Sequence, residues 1–136
     1  MKDSLKPGLD ITQRLTIDTD RTIGFMGDDF RVYSTPSMVL DIERTCKDLL
    51  DQHLDAGENS VGARVEIDHL GATLIDMWVD VHATVTEIDR RRVLFDIEVH
   101  DQLGDKVGAC QHTRFVVDLS KQKERLDAKR ARLAGD

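Results

Sequence analysis

The amino-acid sequence predicts an α+β fold in which one long helix packs against an antiparallel sheet. Only residues 34–54 have a clear helical periodicity, with apolar side chains returning on one face. Most of residues 61–119 alternate instead between apolar and polar side chains, as half-buried strands do. The connections between these alternating segments are short, which is typical of antiparallel neighbours. A single apolar helix on a curved antiparallel sheet buries the apolar faces of both.

In chain order the pattern predicts one strand, the long helix, four further strands and a short C-terminal helix. Residues 1–10 are polar and predict a loose arm, and residues 20–30, which include Gly24 and Gly27, predict a loop. The strands are predicted at residues 11–18, 61–70, 76–88, 93–100 and 106–119, and the last helix at residues 120–136.

This order of elements is that of a hot-dog fold, in which a five-stranded antiparallel sheet wraps one central helix. A chain of 136 residues is long enough for one such domain, covering residues 1–136. Because a single helix leaves part of the sheet uncovered, we expect a homodimer. The sequence leaves open whether dimers pair further into tetramers.

The long helix has a start signal and one residue that breaks its pattern. Pro36 suits the first helical position, where its missing N–H costs nothing, and Thr35 before it is predicted to cap the free amides. Gly57 can supply the left-handed turn that closes the helix. Glu43 lies on the flank of the apolar face, among Met38, Ile42, Cys46, Leu50 and Leu54. Its carboxylate either reaches water at the edge or lies half-desolvated with a raised pKa.

Charge and composition exclude several classes of partner. The net charge is −7, yet residues 121–136 hold six Lys and Arg against three Asp and Glu, so the first 120 residues hold 13 against 23. Such an acidic body predicts no nucleic-acid or anionic-membrane partner. The chain has no apolar run of membrane-spanning length and its start lacks an apolar signal core, so we expect a cytoplasmic protein. Cys46 and Cys110 are predicted to be reduced packing residues, without the spacing of a metal site.

Three residues are candidates for chemistry: Thr35, Glu43 and His69. His69 ends the inward face of the second predicted strand, just before Gly71, where side chains can reach a cleft. The hydroxyl of Thr35 lies beside helix amides that can polarise a carbonyl oxygen. A threonine, a glutamate and a histidine on one apolar pocket suit acyl transfer, in which the carboxylate attacks a thioester or activates water and the histidine moves protons.

Two basic segments have more than one interpretation. The turn at Arg90, Arg91 and Arg92 is either solvated or a contact point for the phosphates of a nucleotide-bearing substrate. The basic helix predicted at residues 120–136 either covers a partner subunit, meets such phosphates or makes no contact. No phosphate-binding glycine motif of the Walker or Rossmann type is present.

Several motifs resemble the fluoroacetyl-CoA thioesterase family of hot-dog proteins over residues 11–119. They are VYSTPSMV at residues 32–39, ERTC at 43–46, SVG at 60–62, the 65–73 segment with His69, and Gly108 followed by HTR at 112–114. The resemblance implies that Thr35, Glu43 and His69 form the catalytic set, at sites on the subunit interface, with CoA only as part of the substrate and no other cofactor or metal. Asp29 stands where the specialised family member has an aromatic lid residue, and Pro36 replaces a glycine, which favours a more general acyl-CoA thioesterase.

Two hypotheses follow for function. The first is hydrolysis of an acyl-CoA thioester, and the alternative is a non-catalytic module that binds acyl-CoA or another apolar ligand. Hydratase chemistry is disfavoured, because it requires a histidine or aspartate where this chain has Ser34 and Thr35. Thr35 and Glu43 are eight residues apart, which is about 12 Å along a continuous helix. They can share one substrate if the helix begins later than Pro36 or if the partner subunit supplies one of them.

Overall fold

The computed structural model describes residues 1–135, which form one five-stranded sheet and two α-helices. Two single-turn 3-10 helices, Thr19–Arg21 and Asp28–Phe30, interrupt the connection between the first strand and the first α-helix. The main elements in chain order are β1 (Asp10–Thr16), α1 (Thr35–Asp51), β2 (Glu58–His69), β3 (Trp78–Asp89), β4 (Arg92–Asp101), β5 (Lys106–Asp118) and α2 (Leu119–Gly135). The predicted order of one strand, a helix, four strands and a helix is confirmed.

The sheet has the strand order β1-β3-β4-β5-β2, and every pair of neighbours is antiparallel. The two strands that flank α1 in sequence therefore lie at opposite edges of the sheet. The three strands between them follow one another through short turns. One face of the sheet packs against α1, so the predicted arrangement of a single helix against an antiparallel sheet is confirmed.

The core lies between α1 and the inward faces of the strands. Five residues of α1 line it at 2% exposure or less: Met38, Ile42, Cys46, Leu49 and Leu50. They meet inward side chains of β3 and β4, including Val81, Val85, Phe95 and Ile97. Burying an aliphatic side chain of this size contributes about 2 kcal/mol to folding. The helical periodicity of the sequence therefore reflects burial of one face of α1 in this core.

The first ten residues are tethered, and the expectation of a loose arm is wrong. Leu5 is buried against the core, and the Lys2 amide donates to the His53 carbonyl at 2.8 Å. The Gly8 amide donates to the Val85 carbonyl at 2.8 Å. The segment is held because Leu5 removes apolar surface from water at the end of α1, where backbone groups are free to bond.

The start and end of α1 differ slightly from the prediction. Ser34, and not Thr35, is the cap: its Oγ accepts from the Ser37 amide at 3.2 Å. Thr35 is the first helical residue and Pro36 follows it, since a proline is tolerated anywhere in the first turn. The helix ends at Asp51, and Gly57, with φ of +82°, instead forms the turn into β2. The helix thus runs without interruption from Thr35 past Glu43.

Strand β2 forms one edge of the sheet and is not covered by another strand among residues 1–135. Its pairing with β5 contains a bulge between Gly62 and Arg64. Val61 and Val65 are 41% and 36% exposed, which is high for valines in a strand. An edge strand of twelve residues presents free N–H and C=O groups to any strand that can pair with it.

Helix α2 projects from the end of β5 and has no buried residue. It begins at Leu119, one residue before the predicted start, because the Asp118 carboxylate accepts from the Lys121 amide at 3.1 Å and caps the helix. Asp136, the last residue of the predicted helix, lies outside the described residues. Of the helices within residues 1–135, neither has the length and apolar character that crossing a membrane requires.

Candidate active site

Thr35 and His69 form a hydrogen-bonded pair at the start of α1. The Thr35 Oγ1 lies 2.7 Å from the Nδ1 of His69, which is the last residue of β2. Thr35 is exposed and His69 half-buried, so both groups can be reached from solvent. Since Pro36 has no N–H and Ser34 occupies the Ser37 amide, only the Thr35 amide of the first turn lacks a hydrogen-bond partner among residues 1–135. A hydroxyl and an imidazole are therefore in contact at a helix start whose first amide is free.

A buried polar network holds this threonine–histidine pair in place. Tyr33 is 1% exposed, and its ring edge faces the His69 ring with centroids 6.4 Å apart. The Tyr33 hydroxyl donates to the Asp41 carboxylate at 2.6 Å, and Arg21 donates to the same carboxylate through Nε at 2.9 Å and Nη2 at 3.2 Å. Burial, followed by the Asp41 carboxylate, raises the pKa of Tyr33, so it remains a neutral donor. The backbone that carries Ser34 and Thr35 is thereby anchored to α1.

An open cavity of about 530 Å³ lies beside the threonine–histidine pair. Its walls are mostly apolar, and besides Tyr33, Thr35 and His69 they include Ile23, Val32, Pro36, Leu70 and Ala72. A volume of this size is within the range of small-molecule sites. The cavity can hold an apolar group next to two polar side chains.

Glu43 lies in a second cluster, farther along α1. Its Oε2 lies 3.7 Å from Nη1 of Arg114, a buried residue of β5, while the Glu43 side chain is 37% exposed. Arg114 also donates through Nε to the Ser60 hydroxyl at 2.9 Å and through Nη2 to the Ser60 carbonyl at 3.1 Å. Burial lowers the pKa of the Arg114 guanidinium, and the Glu43 charge opposes that shift. We call Ser60, Glu43, His112 and Arg114 the arginine cluster.

The hydrogen bonds of His112 fix its tautomer. Its Nδ1 lies 2.8 Å from the Arg64 carbonyl and must donate, so Nε2 is left to accept from Arg114 Nη1 at 3.2 Å. Burial lowers the pKa of His112, and the neighbouring guanidinium lowers it further. His112 is therefore neutral, because a proton on Nε2 would place that N–H against the N–H of Arg114 that it faces.

Gly62 brings β2 close to Glu43. A Cβ at this position would lie 2.7 Å from the Glu43 Oε2, so only glycine leaves the carboxylate where it is. The Glu43 carboxylate is thus bounded by a backbone on one side and by Arg114 on the other. It faces the edge of the sheet.

The structure brings together two of the three predicted site residues within one subunit. Thr35 and His69 are in contact, whereas Glu43 is about 12 Å farther along the helix from Thr35. Gly62, which adjoins Glu43, and His69 are seven residues apart on β2, or roughly 20 Å. The expected convergence of all three on one pocket does not occur within a single subunit, because α1 is continuous between Thr35 and Glu43.

Most residues of these clusters were not predicted as site residues, and Arg114 and Asp41 are the central ones. Arg114 shares the inward face of β5 with His112 and Val116, so an arginine on that apolar stripe was a usable signal. Asp41 occupies a buried position of α1 and its partner Arg21 comes from a loop. The contact between Asp41 and Arg21 depends on tertiary structure that a helical period cannot reveal.

The two cysteines are buried and free, as predicted. Burial raises the pKa of the Cys110 thiol to about 11, so it is not a reactive thiolate at neutral pH. Within residues 1–135, no three His, Cys, Asp or Glu side chains gather as a metal site would require.

Comparison with known proteins identifies the family of the chain. The family model for fluoroacetyl-CoA-specific thioesterases matches residues 17–120. The fluoroacetyl-CoA thioesterase of Streptantibioticus cattleyicolor is 27% identical over 128 residues, which cover 89% of this chain and 91% of that protein.

Solved structures agree in fold. A thioesterase superfamily member from Thermus thermophilus superposes with a TM-score of 0.90 at 23% identity, covering 98% of this chain and 99% of its own. The fluoroacetyl-CoA thioesterase FlK superposes with a TM-score of 0.83 at 25% identity, covering 93% and 98%. A hot-dog-like protein from Thermanaerovibrio acidaminovorans gives 0.83 at 21% identity, covering 90% and 91%. The predicted hot-dog fold is confirmed, and the chain belongs to the fluoroacetyl-CoA-specific thioesterase (FlK) family.

Proposed function

We propose that this protein is a homodimeric acyl-CoA thioesterase whose active site combines residues of two subunits. The observation that carries the proposal is the position of the polar groups along β2. The threonine–histidine pair lies at the end of this free edge strand, and Glu43 lies beside its beginning, at Gly62.

Pairing of β2 with the same strand of a second copy joins these groups. Two identical strands around a two-fold axis run antiparallel, so the end of one strand lies opposite the beginning of the other. His69 of one subunit then adjoins Gly62 and Glu43 of its partner. The exposed Val61 and Val65 provide apolar area for such a contact. The partner subunit thus resolves the separation of Thr35 and Glu43 along one helix.

The chemistry assigns one role to each residue. Glu43 either activates a water molecule that attacks the thioester carbonyl, or attacks that carbonyl itself and forms an acyl anhydride that water then hydrolyses. In both cases the C–S bond breaks, CoA leaves as a thiolate that His69 protonates, and the acyl group leaves as the carboxylic acid. The Thr35 hydroxyl, held by His69, orients the substrate, and the free Thr35 amide can donate to the oxyanion. The Arg114 guanidinium, 3.7 Å from the Glu43 carboxylate, holds it in position. The reaction requires no metal or redox cofactor.

The substrate is an acyl-CoA, with no specialisation for the fluoroacetyl group. Structures of FlK variants with CoA, fluoroacetate and acetyl-CoA support a CoA thioester as the substrate class. The open apolar cavity beside Thr35 is large for an acetyl group, and exposed Asp29 replaces the aromatic lid residue. We also infer a cytoplasmic location, because both cysteines are free thiols.

Turnover of a panel of short and medium acyl-CoAs tests the proposal. We expect Glu43→Gln and His69→Ala each to lower kcat by at least about 100-fold. Glu98→Gln, which alters an exposed carboxylate of β4 away from the β2 edge, is the matched control and should retain activity. Unchanged turnover in both site variants would overturn the assignment.

A mixed dimer tests the sharing between subunits. A dimer of one Glu43→Gln chain and one His69→Ala chain contains one site with both wild-type residues and one with neither. We expect it to recover about half of the wild-type activity, although each homodimer is inactive. Failure to recover activity in verified heterodimers would contradict a shared site.

A non-catalytic module that binds acyl-CoA is the second candidate. Asp29 and Pro36 favour it, since both depart from the residues of the specialised family member at the cap and lid. Tight binding of acyl-CoA without release of free CoA would decide for this alternative.

A further inference from the structure

We propose that the phosphates of acyl-CoA bind a basic corner, formed by Arg90, Lys121 and Arg125, on the subunit opposite the reacting threonine–histidine pair. The inference rests on the proposed function and adds a subsite to it. It concerns the nucleotide end of the substrate, far from the thioester bond.

Three segments of the chain meet at this corner. The Val116 amide of β5 donates to the Arg91 carbonyl at 2.8 Å, which joins the β3–β4 turn to the end of β5. The Leu119 amide donates to the Gly57 carbonyl at 2.9 Å, which joins the start of α2 to the start of β2. Arg91 Nη1 contacts Glu58 at 3.2 Å, which joins the β3–β4 turn to the start of β2. Arg90 and the first turns of α2 therefore lie at the same end of the molecule.

Three carboxylates at this end already have partners. Glu58 pairs with the Met1 amine and with Arg91, and Asp89 pairs with Arg92 at 3.7 Å. Asp118 caps α2 by accepting from the Ser120 hydroxyl and the Lys121 amide. Glu124 of α2 makes no ion pair among residues 1–135, but it is one negative charge beside three cations.

The cations of the basic corner, in contrast, are uncompensated. Among residues 1–135, the side chains of Arg90, Lys121 and Arg125 make no ion pair, and Arg125 bonds only to the neutral Gln122 at 3.4 Å. All three residues are exposed. Arginine and lysine side chains in this state are suited to phosphate oxygens.

The charge of α2 contrasts with that of the rest of the chain. Helix α2 holds six Lys and Arg and two Asp and Glu, whereas the first 120 residues are strongly acidic. No residue of α2 is buried, so core packing does not explain the helix. An acidic enzyme that binds a polyanionic substrate needs a local positive surface, and this corner provides one.

The position of the basic corner relative to the dimer edge indicates which subunit's threonine–histidine pair it lies near. The corner adjoins Gly57 and Glu58, at the beginning of β2. In an antiparallel β2–β2 dimer, this end lies opposite His69 of the partner subunit. The pantetheine arm of CoA separates the thioester from the phosphates. One substrate can therefore extend from the reacting pair of one subunit to the basic corner of the other.

Kinetics with full-length and truncated thioesters test the subsite. We compare wild-type protein and an Arg90→Ala/Lys121→Ala/Arg125→Ala variant on an acyl-CoA and on the matching acyl-pantetheine, which lacks all phosphates. In the variant we expect KM for the acyl-CoA to be roughly tenfold higher, because three exposed charge contacts are lost together. We expect kcat to be unchanged. KM for the acyl-pantetheine should not move. Added salt should erase the wild-type advantage for the CoA ester.

A charge-matched control separates a local site from net charge. Arg44→Ala/Lys47→Ala/Lys106→Ala removes the same number of cations from α1 and from the far end of β5. This control should leave both KM values near wild type. Equal effects of the two triple variants, or an unchanged KM in the basic-corner variant, would overturn the proposal.

The outcomes distinguish the subsite from the proposed function itself. If wild-type protein hydrolyses both esters and the basic-corner variant behaves identically, the subsite fails and the thioesterase assignment stands. If wild-type protein hydrolyses neither ester, the thioesterase assignment fails, and calorimetry with CoA and pantetheine then tests the corner. Weaker binding of CoA by the variant would support the corner, and equal binding would overturn it. A mixed dimer of the basic-corner variant with a Thr35→Ala chain should regain the wild-type KM, because its one active site uses an intact corner.

Discussion

The threonine–histidine pair and the arginine cluster are built in opposite ways. The pair is open to solvent and rests on a single side-chain hydrogen bond of 2.7 Å. The arginine cluster is mostly buried, and Arg114 alone bonds to Ser60 twice and to His112 once. The side chains of the pair are thus accessible on one side. The Arg114 guanidinium is instead packed into the sheet, where it must satisfy its donors.

The contacts that hold the threonine–histidine pair and those that hold the arginine cluster also come from different parts of the fold. The pair depends on a network that crosses between loop and helix, from Tyr33 to Asp41 and Arg21. The arginine cluster depends on the register of β2 against β5, which places Gly62 opposite Arg114. Substitutions in the loop should therefore disturb the position of the threonine–histidine pair first. Substitutions in the sheet should disturb the arginine cluster.

The largest expected effect comes from Arg114→Met. This change removes the central donor of the cluster and leaves Ser60 and His112 without their partner. We expect a loss of about 2–3 kcal/mol in the free energy of unfolding, measured by urea denaturation. Thr35→Ala, at the exposed pair, should cost less than about 1 kcal/mol. Equal losses in both variants would remove the contrast between the regions.

Tyr33→Phe tests the support of the pair and should have an intermediate effect. The variant keeps the ring against His69 but removes the 2.6 Å hydrogen bond to the buried Asp41 carboxylate. We expect a loss of about 1–2 kcal/mol in stability. If the network positions the pair, kcat falls while KM changes little. An unchanged kcat in a folded variant would limit the network to a structural role.

The smallest effect is a pH dependence that arises from His112. Its pKa in the folded protein lies below the ordinary value of about 6.5, so below that pH the unfolded chain binds more protons than the folded one. Stability should therefore fall as pH decreases through about 6.5 toward the lowered pKa of the folded state. Urea denaturation at pH 7.5 and 5.5 measures the slope. His112→Gln should flatten it, and an identical slope in this variant would contradict the neutral tautomer.

The sequence predicted the elements better than it predicted their partners. The apolar period of residues 34–54 located α1 closely, because one helix face carries much of the core. The alternation of the strands located the sheet, although β2 begins at Glu58, earlier than expected. The helical period extended to residue 54, but the helix ends at Asp51, and His53 bonds to Ser4 instead. The ends of a helix depend on local hydrogen bonds, which the apolar periodicity of a sequence does not reveal.

The candidate site was predicted by residue type, but its geometry was not. Thr35 and His69 were both singled out, and their contact follows from the fold, since the end of β2 adjoins the start of α1. Glu43 was noticed because it interrupts an apolar face, yet its partner Arg114 belongs to the last strand. Contacts between residues so distant in sequence require the strand order, and short connections alone do not specify that order.

The free edge of β2 has a consequence for production of the protein. A twelve-residue edge with two exposed valines is a template for uncontrolled strand addition. If the protein forms the dimer that we propose, a chain that has folded but not yet paired is prone to aggregation, and dimer assembly competes with aggregation as protein concentration rises. Substitutions on this edge should reduce the yield of soluble protein during expression before any change in turnover is measurable. The soluble yield is therefore a measurement of how well the edge is protected.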